Sequence, residues 1–128
     1  MGNIVTNIGG VLSAVTNTIA YTDSSAVTVG TIPANAQIVD INIDVTTAFN
    51  AATTNTITVG KSGSAAAYVA STSIGSAGRA SVATTGVYSA WADVGSYDVP
   101  VTATYSQTGT AATAGAARVT IVYRSPAP

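Results

Sequence analysis

The chain has 128 residues, a net charge of −1 at neutral pH and only 7% charged residues, whereas 47% of its residues are hydrophobic. It contains no His and no Cys, which excludes imidazole acid–base chemistry, thiolate nucleophiles, disulfides and thiolate metal sites. Four basic residues stand against five acidic ones, so no basic field is available for nucleic acid or an anionic membrane. No apolar run is long enough for a membrane span. Length and hydrophobic content favour one folded domain.

The first 17 residues differ from the rest of the chain. Their apolar residues fall at roughly helical spacing, but Gly9, Gly10 and several threonines oppose a helix. An anchoring arm laid on a neighbouring subunit and an ordered first strand packed on its own domain both fit this pattern. We therefore divide the chain into an N-terminal arm or anchoring segment, residues 1–17, and a β-domain, residues 18–128.

From residue 18 onward, short β-branched runs alternate with turn residues, a pattern typical of an antiparallel sandwich or barrel. Alternation is clearest in Gln37–Phe49, where one face would carry Val39, Ile41, Ile43 and Val45 and the wet face Asp40, Asn42, Asp44 and Thr46. We predict eight strands: Ala26–Ile32, Gln37–Phe49, Thr56–Lys61, Ala66–Ser71, Arg79–Thr84, Tyr88–Val94, Asp98–Ser106 and Ala116–Arg124. No crossover helix is available for a parallel sheet.

Two patterns resemble chemical sites without completing them. Gly60-Lys61-Ser62 is similar to the end of a phosphate-binding loop, but Asn55 stands where that motif requires Gly, so a strand end with a solvated lysine is predicted. Asp40 and Asp44 share a strand face about 13 Å apart, too far for a paired-carboxylate site. We predict no catalytic residue, no metal site and no cofactor.

The aromatic and basic residues are candidates for contacts. A sugar-stacking platform would need neighbouring rings, but Tyr88 and Trp91 would face opposite sides of a strand, so most aromatic residues are expected in the core. Trp91 is the exception, expected at a rim or subunit contact. The guanidinium fork favours interfaces for Arg79, Arg118 and Arg124, with solubility and local pairing to Asp as the alternative.

Five segments in this order resemble the small structural proteins of tailed bacteriophages known as capsid decoration, or cement, proteins: Val29–Ala36, Asp44–Asn50, Thr56–Gly60, Gly78–Ala80 and Gly109–Val119. The resemblance covers residues 26–124. It implies a compact, jelly-roll-like β-sandwich on the outer surface of the phage head, assembled in the bacterial cytoplasm. It also implies a homotrimer that clamps neighbouring subunits of the major capsid protein. Such a protein is not an enzyme and takes no small-molecule substrate.

Under this hypothesis, contacts with the capsid or between subunits would involve Ile4, Val5, Ile8, Val11, Leu12, Trp91, Arg79, Arg118 and Arg124. The low charge of the chain agrees with this role, because interface cores are depleted of charged residues. The alternative is a receptor- or carbohydrate-binding β-sandwich module of a phage head or tail fibre. That alternative predicts an exposed aromatic shelf that includes Trp91.

Overall fold

The computed structural model describes residues 12–125, which form eight strands and one short helix. The strands are β1 (Leu12–Ala20), β2 (Val27–Ile32), β3 (Gln37–Thr47), β4 (Thr54–Lys61), β5 (Ser64–Ser73), β6 (Gly78–Ala80), β7 (Val99–Thr108) and β8 (Ala116–Arg124). The helix α1 (Tyr88–Trp91) lies between β6 and β7. Among residues 12–125, no helix is long and apolar enough to cross a membrane.

The strands form two four-stranded antiparallel sheets, the β1 sheet with order β1-β8-β3-β6 and the β2 sheet with order β2-β7-β4-β5. The first strand pairs with the eighth, the second with the seventh, the third with the sixth and the fourth with the fifth. This is the arrangement of a long hairpin rolled up on itself, which is a jelly roll. The predicted all-β sandwich of about eight strands is confirmed.

β3 follows the predicted alternation over most of its length. Its inward residues Ile41, Ile43 and Val45 are buried, as predicted. A bulge between Ile38 and Asp40 adds one residue to β3 relative to β8, so Ile38 takes the inward position and Val39 is 41% exposed. The prediction that Val39 shares the buried face is wrong, because an extra residue moves one side chain to the other face.

β1 begins within the segment that the sequence sets apart. It pairs with β8 along its full length, from Leu12 opposite Arg124 to Ala20 opposite Ala116. The boundary predicted after residue 17 therefore falls inside a strand. Only Ile19 of β1 is fully buried, because β1 is an edge strand of its sheet. This sparse burial explains why the segment lacks a clear strand pattern.

The predicted strand Tyr88–Val94 is wrong, because its first half is the helix α1. The N–H of Ala90 donates to Val87 O at 2.9 Å, and the N–H of Val87 donates to Tyr68 O at 2.8 Å, so this segment turns back onto β5 instead of joining a sheet. The predicted strand Arg79–Thr84 is also shorter than expected, since β6 ends at Ala80.

The core lies between the two sheets and is built mainly from β-branched residues, whose shape suits the pleated surface. Phe49 and Tyr105 meet there with ring centroids 4.6 Å apart. Gly115, at φ 151°, lies against the Phe49 ring, where a side chain would collide with it. In the part of the described core next to Gly115, the Phe49 and Tyr105 rings pack together, and the Phe49 ring lies on the glycine backbone.

Candidate interaction surfaces

Three of the four basic residues lie on the outer face of the β1 sheet. Arg118 and Arg124 point outward from β8, and Arg79 points outward from β6. Arg79 Nη2 lies 3.0 Å from Asp40 Oδ2, and Arg118 Nη2 lies 3.5 Å from Asp44 Oδ2. These exposed pairs contribute at most about 1 kcal/mol each to folding. The fold therefore gathers the three predicted arginines on one accessible face.

An apolar patch lies at one end of the same face, where β1 begins and β8 ends. This Leu12 patch consists of Leu12, Ala14, Val39 and Val122. Leu12 is 52% exposed and lies opposite Arg124, while Ala14 lies opposite Val122. Leu12 was predicted as a contact residue. The other members were missed, because the bulge that turns Val39 outward leaves no mark in the sequence.

Among residues 12–125, β1 is the edge strand of its sheet beside this patch. The N–H of Tyr21 continues the ladder by donating to Gly115 O at 3.1 Å, so odd-numbered residues of β1 bond to β8 and even-numbered ones face the edge. Side chains cap the later edge groups: Asn17 Oδ1 accepts from the Thr18 N–H and Asp23 Oδ2 from the Ala20 N–H. Within residues 12–125, no such side-chain cap occurs at Ala14 or Thr16. The predicted contact residues Ile4, Val5, Ile8 and Val11 lie outside the described residues.

The outer face of the β2 sheet has a different character, since hydroxyl side chains dominate it. The residues that alternate onto this face are Thr28, Thr31, Thr54, Thr56, Thr58, Ser73, Thr102, Thr104, Ser106 and Thr108. Some of them pair across strands, as Thr54 Oγ1 does with Thr108 Oγ1 at 2.6 Å. The sandwich thus presents arginine and apolar groups on one side and hydroxyl groups on the other.

Trp91 is a core residue, so the prediction that it lies at a rim is wrong. Its side chain is 5% exposed, and Nε1 donates to Tyr68 O at 2.9 Å. Residues three apart in a helix lie on one side, and the Tyr88 and Trp91 rings meet edge-on with centroids 4.6 Å apart. The aromatic residues exposed within residues 12–125 are instead Tyr88, at 51%, and Tyr97, at 81%.

The other predicted features are structural. Gly60-Lys61-Ser62 lies where β4 ends and turns into β5, which confirms the predicted strand end. Asp40 and Asp44 each pair with an arginine on the wet face of β3. Within residues 12–125, no group of three His, Cys, Asp or Glu side chains is placed to hold a metal ion.

Comparisons with known proteins relate the fold to one solved structure. No protein-family model and no curated protein sequence matches the chain. The chain is similar to a chain of the structure described as "Cyanophage Pam1 capsid asymmetric unit", with a TM-score of 0.69 and 20% sequence identity. The match covers 98% of this chain and 93% of that chain. At this level of identity, the two chains share a fold.

Proposed function

We propose that the protein is a structural component of a phage virion, and specifically a decoration protein on the outer surface of the head. It would bind the major capsid protein and stabilise contacts between its subunits. The observation that carries the proposal is the likeness to a chain of a capsid assembly, which extends over 98% of this chain and 93% of the other. The shared sandwich accounts for nearly all of both chains. The proposed role requires no catalytic group, since a bound partner stabilises an assembly by mass action.

The outer face of the β1 sheet is the proposed contact surface. The Leu12 patch supplies apolar side chains, and each methylene group buried there would contribute about 0.8 kcal/mol. Arg124 borders the patch opposite Leu12, and Arg118 lies further along the same face of β8. Each guanidinium group makes one hydrogen bond within the described residues, to Gln37 and Asp44 respectively, and its other N–H groups suit hydrogen bonding at an interface. In the proposed contact, the main chain of the edge strand β1 at Ala14 and Thr16 would add donors and acceptors.

A homotrimer is the proposed assembly. One patch with two half-exposed apolar side chains, Leu12 and Val39, gives a modest affinity by itself. Three patches held in fixed geometry turn the second and third contacts into intramolecular ones, which raises the overall affinity about 100-fold or more. Sedimentation equilibrium would give three times the chain mass, and a monomeric mass at working concentrations would contradict this part of the proposal.

Binding of the purified protein to heads that lack it tests the proposed role. The double variant Leu12→Asp/Val39→Asp places charge in the patch and should weaken co-sedimentation with heads by at least about tenfold, because a buried unpaired carboxylate is costly. The matched control Ser73→Asp/Ser106→Asp adds the same charge to the β2 sheet and should bind as the parent does. Equal loss in both variants would reject the assigned face, and failure of the parent to bind would reject the role.

A further inference from the structure

A cavity of about 360 Å³ opens at the β6 edge of the β1 sheet, lined by Asp40, Arg79, Ser81, Val82, Ala83 and Tyr88. We propose that this cavity binds one unit of a neutral saccharide. The C–H face of the sugar would stack on the Tyr88 ring, and its hydroxyl groups would bond to Arg79 and Asp40. The volume lies within the range of small-molecule sites, roughly 300–1,000 Å³.

The Tyr88 ring is held in place before any ligand arrives. Its hydroxyl donates to Val82 O at 3.0 Å, and the Trp91 ring meets it at an interplanar angle of 69°. A Cβ added to Gly86 would lie 3.0 Å and 3.1 Å from two ring atoms of Tyr88, so the glycine lets the ring rest on the backbone. The ring still keeps 51% exposure. A fixed, half-exposed aromatic face can stack on a ligand with little loss of rotamer freedom.

The ion pair in the cavity wall determines the class of ligand that fits. Arg79 Nη2 and Asp40 Oδ2 are 3.0 Å apart, and both side chains remain about half exposed. A donor and an acceptor therefore lie side by side, which suits neighbouring hydroxyl groups because each hydroxyl both donates and accepts. The carboxylate disfavours an anion such as phosphate, and the guanidinium disfavours a cation. A neutral polyol with one apolar face fits both the pair and the Tyr88 ring.

This site adjoins the proposed capsid contact, because Asp40 follows Val39 in β3 and lies opposite Val122 of β8. Sugar binding by the free chain is measured without phage heads, so failure of this proposal is distinguishable from failure of the proposed function.

Saturation-transfer NMR on the full chain tests the proposal with glucose, galactose, mannose, N-acetylglucosamine and disaccharides of these sugars. At least one should bind saturably, with transfer from the Tyr88 ring. Tyr88→Ala and Arg79→Ala should each weaken binding about tenfold, which corresponds to about 1.4 kcal/mol. Gly86→Ala should weaken it as well, because the added methyl group displaces the ring while every contacting group is retained.

The control is Tyr97→Ala, which removes the most exposed aromatic ring, at 81%, outside this cavity and should leave sugar binding unchanged. If Tyr88→Ala does not fold, the variants Arg79→Ala and Asp40→Asn test the site instead. Both should fold, because exposed ion pairs contribute little to folding. The proposal is overturned if no sugar binds, if binding persists in Arg79→Ala and Asp40→Asn, or if inorganic phosphate binds the cavity in place of sugar.

Discussion

At the scale of single residues, the Tyr68 hydroxyl is a buried polar group without a hydrogen-bond partner among residues 12–125. The main-chain carbonyl of Tyr68, by contrast, is fully hydrogen-bonded, because it accepts from both Val87 N–H and Trp91 Nε1. An unpaired buried hydroxyl costs about 1–3 kcal/mol. The ring of Tyr68 therefore stabilises the core, whereas its hydroxyl opposes folding.

We expect Tyr68→Phe to leave the free energy of unfolding unchanged or to raise it by up to about 1 kcal/mol. Urea denaturation measures this. The control is Tyr105→Phe, which should lose about 1 kcal/mol because the Tyr105 hydroxyl donates to Asn55 Oδ1 at 2.7 Å. A larger loss in Tyr68→Phe than in Tyr105→Phe would contradict the assignment.

Tyr68 also makes stability depend on pH at the alkaline end. Burial raises the pKa of Tyr68 above its usual value of 10.0, so the unfolded chain ionises first as pH rises. The contribution of the neutral phenol is fully present below about pH 10 and is lost as pH rises towards the folded pKa. We expect the parent to lose more stability than Tyr68→Phe between about pH 9 and about pH 11. Burial also raises the pKa of Tyr105, so some slope remains in the variant; identical slopes would refute the role of Tyr68.

At the scale of elements, the β4–β5 hairpin depends on a close backbone approach at Gly60. A Cβ there would collide with the main chain of Ser64 and Ala65, and main chain cannot move aside as a side-chain end can. Gly60→Ala should therefore destabilise the protein by about 2 kcal/mol or more. The matched change Gly75→Ala meets no atom closer than 3.9 Å and should alter stability by less than about 1 kcal/mol. Thermal unfolding of both variants compares them, and equal effects would show that the hairpin adapts.

Local patterns predict an element well when the element buries one face continuously. β2, β4 and β8 begin or end within two residues of their predictions, because β-branched residues alternate there between flanking turns. α1 was missed because an apolar run as short as Tyr88–Val94 fits strand and helix alike. Tertiary contacts decide that this segment is helical. They are the hydrogen bonds from Val87 N–H and Trp91 Nε1 to Tyr68 O, which join segments far apart in sequence.

The candidate contact face was predictable only in part for a related reason. From the sequence, Arg79, Arg118 and Arg124 can be chosen as contact residues, but their place on one face cannot be predicted. Arg79 and its partner Asp40, for example, are 39 residues apart. Their meeting depends on β6 pairing with β3, and the outward turn of Val39 depends on the β3 bulge. The cavity lined by Tyr88 could not be predicted for the same reason, because the Tyr88 and Trp91 rings lie on one side only when this segment is a helix.

At the scale of the whole molecule, a net charge of −1 with 7% charged residues limits long-range electrostatics. Salt screens exposed charge pairs strongly and apolar contacts little. We expect the affinity of the protein for heads to change less than about threefold between about 0.05 M and about 0.5 M NaCl. Co-sedimentation across this range measures the change, and a loss of about 100-fold or more would indicate binding dominated by charge, in conflict with the Leu12 patch as its centre.

The most direct test of the proposed role is the stability of the shell itself. Heads isolated without the protein are mixed with increasing amounts of the purified chain, and the temperature at which the shells open is followed by calorimetry. The proposal predicts saturable binding and an opening temperature that rises with occupancy, because a ligand of the assembled state stabilises that state. Heads that bind none of the protein, or that bind it with no change in opening temperature, would contradict the account.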